Sequence, residues 1–498
     1  MFLSVLAALV APSSGAQAPD PSGERTPVPS PVHSATAQEP RAASVQRPAP
    51  APQGQPTSLF HGLEQGARPY ALDERLDALD LALESSTEFG ATRSSSLINP
   101  ALRPQAPERY RVSLGTGTGT LERVWVQEAA ANHARPLLVV FHRFGVSESD
   151  AMLSTRYFEE ARRRQWYVIA PRSLGQVHFS SLTSQIHTKR AIDWALTNFN
   201  IDSTRIYAVG FSMGGGAALN YAARNLDVNE ARFAAIASLT GLLDHEHAYV
   251  NEIMQTQDYY DQIFGNGLPG SADPWLMLRS GLFRLDNQLQ ITPGTDLARN
   301  LAHTNVHLFR ANGDVRYLST QHDVLAAHLA SLPLATGQQL AAVSSYVGHS
   351  WDAVDERQVC DWLRQFQLTT PSASRTLADE DGAYYHFVLE QDAPGAFSPF
   401  TWSVDTQTNS VALTDTENVQ RITVRTLSAG LSTAATLQVT SAAADGVADE
   451  IVIEDWPVAP LAVMRDGLPS AAWSHDALNE RLTLHEFDPA SHVWQIQP

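Results

Sequence analysis

One stretch constrains this chain more than any other: Arg205-Ile-Tyr-Ala-Val-Gly-Phe-Ser-Met-Gly-Gly-Gly216, followed directly by Ala217-Ala-Leu-Asn-Tyr-Ala-Ala-Arg224. A β-prone apolar run enters a Gly-x-Ser-x-Gly turn, and an alanine-rich segment of helical composition leaves it. A strand that turns this sharply into a helix carries the residue at its apex, Ser212, clear of the backbone where its hydroxyl can attack. Gly210 and Gly214 serve geometry, because strand and helix pass too close at the turn for side chains. The motif is short, so its reading rests on what surrounds it.

Composition narrows the classes. A chain of 498 residues that is 43% hydrophobic and 17% charged can bury a large core and form two or three domains. Its net charge of −19 opposes nucleic acid and anionic membrane surfaces as partners. Lys189 is the only lysine and no Gly-Lys-Ser/Thr loop occurs, which argues against Schiff-base chemistry and phosphate-loop binding. Cys360 is the only cysteine, so an intramolecular disulfide or a multi-cysteine zinc site is impossible. Beside Val359, Trp362, Leu363 and Phe366, it reads as a packed helix residue. His245-Glu246-His247 brings no third ligand, so neither a metal nor a cofactor is expected.

Phe2 to Val10 is a short apolar run, and Ala16-Gln17-Ala18 offers a small-x-small cleavage site, although no Lys or Arg precedes them. Residues 1–18 therefore read as an export signal, which implies a secreted or periplasmic bacterial protein. Residues 19–58, rich in Pro, Ala, Ser and Gln, hold too little apolar surface to fold and read as a disordered linker. No run has the length of a membrane span.

A catalytic α/β domain is expected over 59–370. Leu72, Leu76, Leu79 and Leu83 recur at helical spacing, which predicts a helix over 71–85. Tyr110 to Leu114 and Leu121 to Val126 read as a hairpin, and Pro136 to Phe141 as a strand buried on both faces. Helical pattern near 150–164, a strand at Trp166 to Ala170, a helix around 187–199 and the serine-bearing strand follow. Further strands are expected at Phe233 to Leu239, Asn305 to Arg310 and Ala341 to Val347. Strands alternating with helices predict a mostly parallel sheet with helices on both faces. Residues 241–296 interrupt this rhythm with Tyr249, Tyr259, Tyr260, Phe264, Trp275 and Phe283; the segment reads as a lid-like insertion, as the core of a small helical subdomain, or as both. Beyond 371 the period changes to two, and seven or more short strands before 498 predict an all-β, sandwich-like domain, with either an accessory or a polymer-binding role.

A serine hydroxyl needs a base, and the base needs an orienting group. In an open α/β sheet these groups lie at the C-terminal ends of strands. After Asn305 to Arg310 comes Ala-Asn-Gly-Asp314, and after Ala341 to Val347 comes Gly-His349-Ser-Trp351-Asp352. Ser212, Asp314 and His349 thus follow the chain order of nucleophile, acid and histidine. Asp323, Asp352, His322 and His303 are the next candidates, on helical pattern or away from a strand end.

The run Leu137-Leu-Val-Val-Phe-His142, then Ala191-Ile-Asp-Trp194, Asn200-Ile-Asp202 and Arg205-Ile-Tyr207 leading into Gly-Phe-Ser-Met-Gly, resembles the α/β-hydrolase superfamily over about 105–370. Within it the chain is most similar to secreted esterases grouped with polyhydroxybutyrate depolymerases and feruloyl esterases, with prolyl oligopeptidase-like hydrolases as neighbours. In those esterases a His-Gly pair ends the strand before the elbow unit, and the next residue lends its N–H to an oxyanion hole. Here the pair is His142-Arg143, so the resemblance implies the N–H groups of Phe144 and Met213 as oxyanion donors. Arg143 then becomes either a substrate contact or a surface residue, and Trp351 a second candidate substrate contact. The resemblance implies a serine hydrolase acting on a small-molecule or polymeric ester. A prolyl oligopeptidase-like peptidase would share the triad, and a catalytically silent binding protein on the same scaffold would not use it.

Overall fold

The computed structural model describes residues 109–115, 121–129, 133–251, 254–333, 338–343, 348–486 and 488–498. The expected export signal, linker and helix at 71–85 lie outside them. An eight-stranded sheet organises the first part: β1 (Arg109–Gly115), β2 (Leu121–Gln127), β3 (Arg135–Phe141), β4 (Tyr167–Pro171), β5 (Ile201–Phe211), β6 (Ala235–Leu239), β7 (Asn305–Ala311) and β8 (Gln338–Val343). Their order across the sheet is β1-β2-β4-β3-β5-β6-β7-β8. β1 pairs antiparallel with β2, and β2 with β4, while every pairing from β4 through β3 to β8 is parallel.

The helices are α1 (Ser149–Leu153), α2 (Tyr157–Arg164), α3 (Leu182–Asn198), α4 (Met213–Arg224), α5 (His245–Asn251), α6 (Met254–Phe264), α7 (Pro274–Ser280), α8 (Arg316–Ser331) and α9 (Glu356–Leu363). Alternation along β3 explains its unbroken apolar run. Leu137, Val139 and Phe141 join a core with Ala191 and Ile192 of α3 and Ala218 and Leu219 of α4. Leu138 and Val140 point the other way, into a core with Phe158 and Ala161 of α2 and Val359 and Leu363 of α9. Cys360 lies in that second core, where burial pushes its thiol up to about 12 and leaves it an inert packing group.

Several boundaries differ from those read off the sequence: the strands expected at Trp166 to Ala170 and Phe233 to Leu239 are found at Tyr167–Pro171 and Ala235–Leu239. α3 begins at Leu182 rather than near 187, because the Ser181 hydroxyl caps it by accepting from the Ser184 N–H. β8 starts at Gln338 rather than Ala341, its register fixed by pairing Gln338 with Val306 and Val343 with Ala311; residues 344–347 of the expected strand lie outside the described residues. β8 is an edge strand, and an edge tolerates polar residues such as Gln338 and Gln339 that an apolar pattern passes over.

From Ala373 to Gln497 the chain builds a six-stranded and a seven-stranded sheet. Leu389, Ile422, Ile451 and Leu484 of one pack with Trp402, Val411, Leu413, Val439 and Ile496 of the other in a single sandwich-like core. Each sheet contains one parallel pair, Ser410–Thr416 with Leu437–Ala443 and Val419–Val424 with Glu450–Ile453.

The loop after the strand Ala373–Ala378 is fastened to the α/β part. Asp379 accepts from Arg224 Nε of α4 and from Arg279 Nε of α7, each at 2.8 Å, and Glu380 accepts from the Nη2 of both arginines. Asp379 is 2% exposed at its side chain, against 54% for Glu380. Removing one partner of a buried ion pair strands the other charge, so Asp379→Ala destabilises by about 3 kcal/mol, the low end of the range because Glu380 still faces both guanidiniums. The loss should appear as a lower urea midpoint, and an unchanged midpoint would count against the clamp.

Asp449 gives the sandwich a pH dependence. Its Oδ2 accepts from the Thr416 hydroxyl, while Oδ1 is buried without a hydrogen-bond partner. Burial pushes the carboxyl up to about 7, assisted by the negative Asp445 and Asp392 and opposed by the Thr416 bond. The folded chain therefore keeps a proton that the unfolded chain releases near pH 4, and stability falls as pH rises from there through 7. Asp449→Asn should raise Tm at pH 8 and leave it unchanged at pH 4; equal shifts at both would exclude a protonation origin.

Candidate active site

β5 delivers Ser212 to its apex in a strained conformation, φ 57° and ψ −123°, and α4 starts at the next residue. The strain is held in place by close approach. A Cβ on Gly210 would sit 2.2 Å from the Gly214 carbonyl oxygen, and one on Gly214 would sit 2.4 Å from the His142 carbonyl oxygen. Both glycines are therefore obligatory, and the second brings the first turn of α4 against the end of β3. The Ser212 N–H donates to the Leu239 carbonyl at 2.9 Å, which fixes the apex to the end of β6.

Two further strand ends supply the partners. His349 Nε2 lies 2.9 Å from Ser212 Oγ, and His349 Nδ1 lies 2.7 Å from Asp314 Oδ1. Asp314 follows β7 by three residues, and its N–H bonds back to the Ala311 carbonyl at 3.1 Å. Its carboxylate also accepts from the Val315 N–H at 2.6 Å and from the Thr240 hydroxyl. Burial works to raise the Asp314 carboxyl, but the bonds from His349 and Thr240 outweigh it and hold the group below the usual carboxylate range. An ionised carboxylate can only accept, so Nδ1 carries the imidazole proton and Nε2 is left as an acceptor for the serine O–H. The Phe211 ring, 4.4 Å from the His349 ring, supports the imidazole from below.

Met213 opens α4, so its N–H has no carbonyl one turn back to bond. Phe144 follows β3 by three residues, in a loop pinned by the Gly145 N–H to the Gln176 carbonyl at 2.9 Å. The Phe144 ring stacks on Phe179 with centroids 5.6 Å apart and meets Tyr259 of α6 edge-on at 5.5 Å. Tyr260, Phe264 and Met277 of the insertion share a core with Met213 and Phe179. The insertion's aromatics thus pack with Phe179 and Met213, beside the serine loop. Trp275 instead packs on Phe397 of the β region, and Phe283 joins the core beneath the sheet.

Residues 117–296 match the family described as alpha/beta hydrolase fold. Over these residues the chain has the alpha/beta-hydrolase fold. The match includes Ser212 and stops short of Asp314 and His349, which the tertiary structure brings to it. No curated protein matches the chain. Among solved structures, an S-formylglutathione hydrolase from Agrobacterium tumefaciens is similar at 13% identity and TM-score 0.40, over 52% of this chain and 95% of that one. The fluorophosphonate-binding serine hydrolase FphF of Staphylococcus aureus is similar at 13% identity and TM-score 0.38, over 52% and 99%. An esterase from Pyrobaculum calidifontis is similar at 15% identity and TM-score 0.35, over 61% and 94%.

Within the hydrolase domain the remaining candidates separate. Asp323 pairs with Arg310 at 2.9 Å, Asp352 accepts from Ser350, and buried His322 accepts from the Gly241 N–H, so Asp314 alone of these carboxylates meets His349. His245, Glu246 and His247 do not converge: they contact the Ser280 carbonyl, Arg284 and Gln321 respectively. Trp351 requires a correction. It is 2% exposed, wedged between Phe211 and Tyr157, and its indole N–H donates to Asp150 at 3.0 Å, so it cannot be the substrate contact expected from sequence. Arg143 is neither a free surface cation nor aimed only at a ligand, because its Nη2 lies 3.2 Å from Asp150 Oδ1.

Sequence reasoning passed over Thr240 and Asp150. Thr240 directly follows β6, so the strand-end rule that selected Asp314 would have reached it. Asp150 sits inside a short helix and contacts a residue 201 positions away, for which the sequence holds no signal.

Proposed function

We propose that this chain is a serine hydrolase that cleaves carboxylic esters through an acyl-enzyme. One observation carries the reading: the unbroken hydrogen-bonded chain from Ser212 Oγ through His349 to Asp314, with the serine on a strained elbow. In the first half-reaction Ser212 Oγ attacks the ester carbonyl carbon as His349 Nε2 takes its proton. The proton then passes to the departing alkoxide, and the acyl group stays on Ser212. In the second half-reaction water repeats the attack, with the same proton transfers, and releases the acid. Asp314 holds the imidazole tautomer throughout and balances the imidazolium. The N–H groups of Met213 and Phe144 would receive the developing oxyanion, a contribution of about 3 to 4 kcal/mol per donor.

We take the substrate to be a small-molecule or polymeric ester, polyester or feruloyl-type by resemblance, and the protein to act after export under the signal at 1–18. The mature N-terminus of protein recovered outside the cytoplasm tests export. Fluorophosphonate labelling tests the chemistry: the adduct should map to Ser212, and a chain that stays unmodified would be a binding scaffold. Turnover of p-nitrophenyl acyl esters and a feruloyl ester, set beside a Pro-containing peptide, then assigns the bond. Cleavage of the peptide alone would replace the esterase by a peptidase.

A further inference from the structure

We infer that Asp150 is a positioning residue that locks the oxyanion loop and the histidine loop to one another. The inference rests on the proposed hydrolase reading. Asp150 is 7% exposed and stands in α1, an element that supplies none of the triad. Its Oδ1 accepts from Arg143 Nη2 at 3.2 Å and from the Ser154 hydroxyl at 2.7 Å, and its Oδ2 accepts from Trp351 Nε1 at 3.0 Å.

Arg143 and Trp351 each hold a different half of the site. Arg143 is the residue before Phe144, whose N–H would receive the oxyanion in the proposed reaction. Trp351 is two residues past His349, and its ring lies 5.3 Å from that of Phe211, which in turn lies 4.4 Å from the His349 ring. One carboxylate thereby sets the distance between the base and the oxyanion donors, two groups that must be correct together because base and oxyanion act on the same tetrahedral centre. An error of about 1 Å at such a centre costs on the order of 10²-fold in rate. All three partners of Asp150 donate to it, as suits a carboxylate with two acceptor oxygens. An amide in its place would turn a donor toward either the guanidinium or the indole N–H.

Two substitutions test this. Asp150→Asn breaks one tie by mismatch, and Trp351→Phe removes the indole N–H while keeping a ring between Phe211 and Tyr157. The expected result is that each lowers kcat per fluorophosphonate-titrated site by about 10- to 100-fold, with KM for a small p-nitrophenyl ester within about twofold because neither residue touches substrate. Combining them should cost little more than the worse single change, since both act through the same carboxylate. Ser154→Ala, which removes the local partner and touches neither loop, should keep the parent kcat. Titrating active sites discounts misfolded protein, so a purely structural role would lower the titrated fraction or Tm and leave kcat per site at the parent value. That outcome in both Asp150→Asn and Trp351→Phe overturns the inference. If the parent protein itself takes up no fluorophosphonate, the hydrolase reading fails first and this inference with it.

Discussion

Ser212→Ala lowers kcat toward p-nitrophenyl esters by on the order of 10⁶, with Tm unchanged. The reasoning is geometric. Ser212 stands at the apex of the β5–α4 turn, and the turn's conformation is fixed by backbone contacts: the Ser212 N–H to Leu239, and the Leu242 and Gly216 N–H groups to the Ser212 carbonyl. Removing Oγ therefore takes away the attacking atom and the hydroxyl that donates to His349, and leaves the packing of Gly210 against Gly214 intact. What survives is the contribution of binding and oxyanion stabilisation, roughly 10³- to 10⁴-fold over the reaction in water. The measurement is steady-state kinetics on protein freed of wild-type contamination, with Tm alongside. Activity well above that background would remove Ser212 as the nucleophile.

Asp314→Asn is expected to lower kcat by on the order of 10⁴, the scale on which losing a triad carboxylate acts. Both oxygens of Asp314 face donors, Val315 N–H and His349 Nδ1 on Oδ1 and the Thr240 hydroxyl on Oδ2. In the asparagine the amide oxygen stays on the side of the Val315 N–H, because that donor cannot reverse, and the amide nitrogen turns to Thr240, whose hydroxyl can accept. The imidazole thus keeps an acceptor at Nδ1, and the loss falls on the negative charge that balances the imidazolium in the transition state. Asp323→Asn and Asp352→Asn should stay near the parent rate, since one pairs with Arg310 and the other turns back to Ser350. Near-normal turnover in Asp314→Asn, with a loss in either of the other two, would show that the carboxylate was wrongly chosen.

The acid was legible because strand ends are. An apolar run such as Asn305 to Arg310 announces a buried strand, and in a parallel sheet the residues just past its C-terminal end must gather on one side. That argument reached Asp314 although β7 shares its sheet position only through pairings the sequence does not show. His349 was reached in the same way, although β8 starts at Gln338, three residues before the expected start, and residues 344–347 of the expected strand lie outside the described residues. The error lay in reading an edge strand by its apolar residues alone. Trp351 was misjudged for a related reason: proximity to a catalytic residue in sequence says nothing about which way a side chain points, and its ring points into the core.

Local pattern determined the elbow, the two-faced apolar strands, the change of period beyond 371 and the chain order of the three catalytic candidates, because each is a matter of near neighbours: spacing, alternation and the sterics of glycine. Tertiary structure alone decided which donors complete the carboxylate of Asp314, that Asp150 ties Arg143 to Trp351, and that Asp379 is gripped by arginines from α4 and α7. All but the Arg143–Asp150 pair, which spans 7 positions, join residues 74 to 201 positions apart. Their energy depends on burial and on the exact facing of donor to acceptor, and both come into being only when separate elements of the chain close on one another.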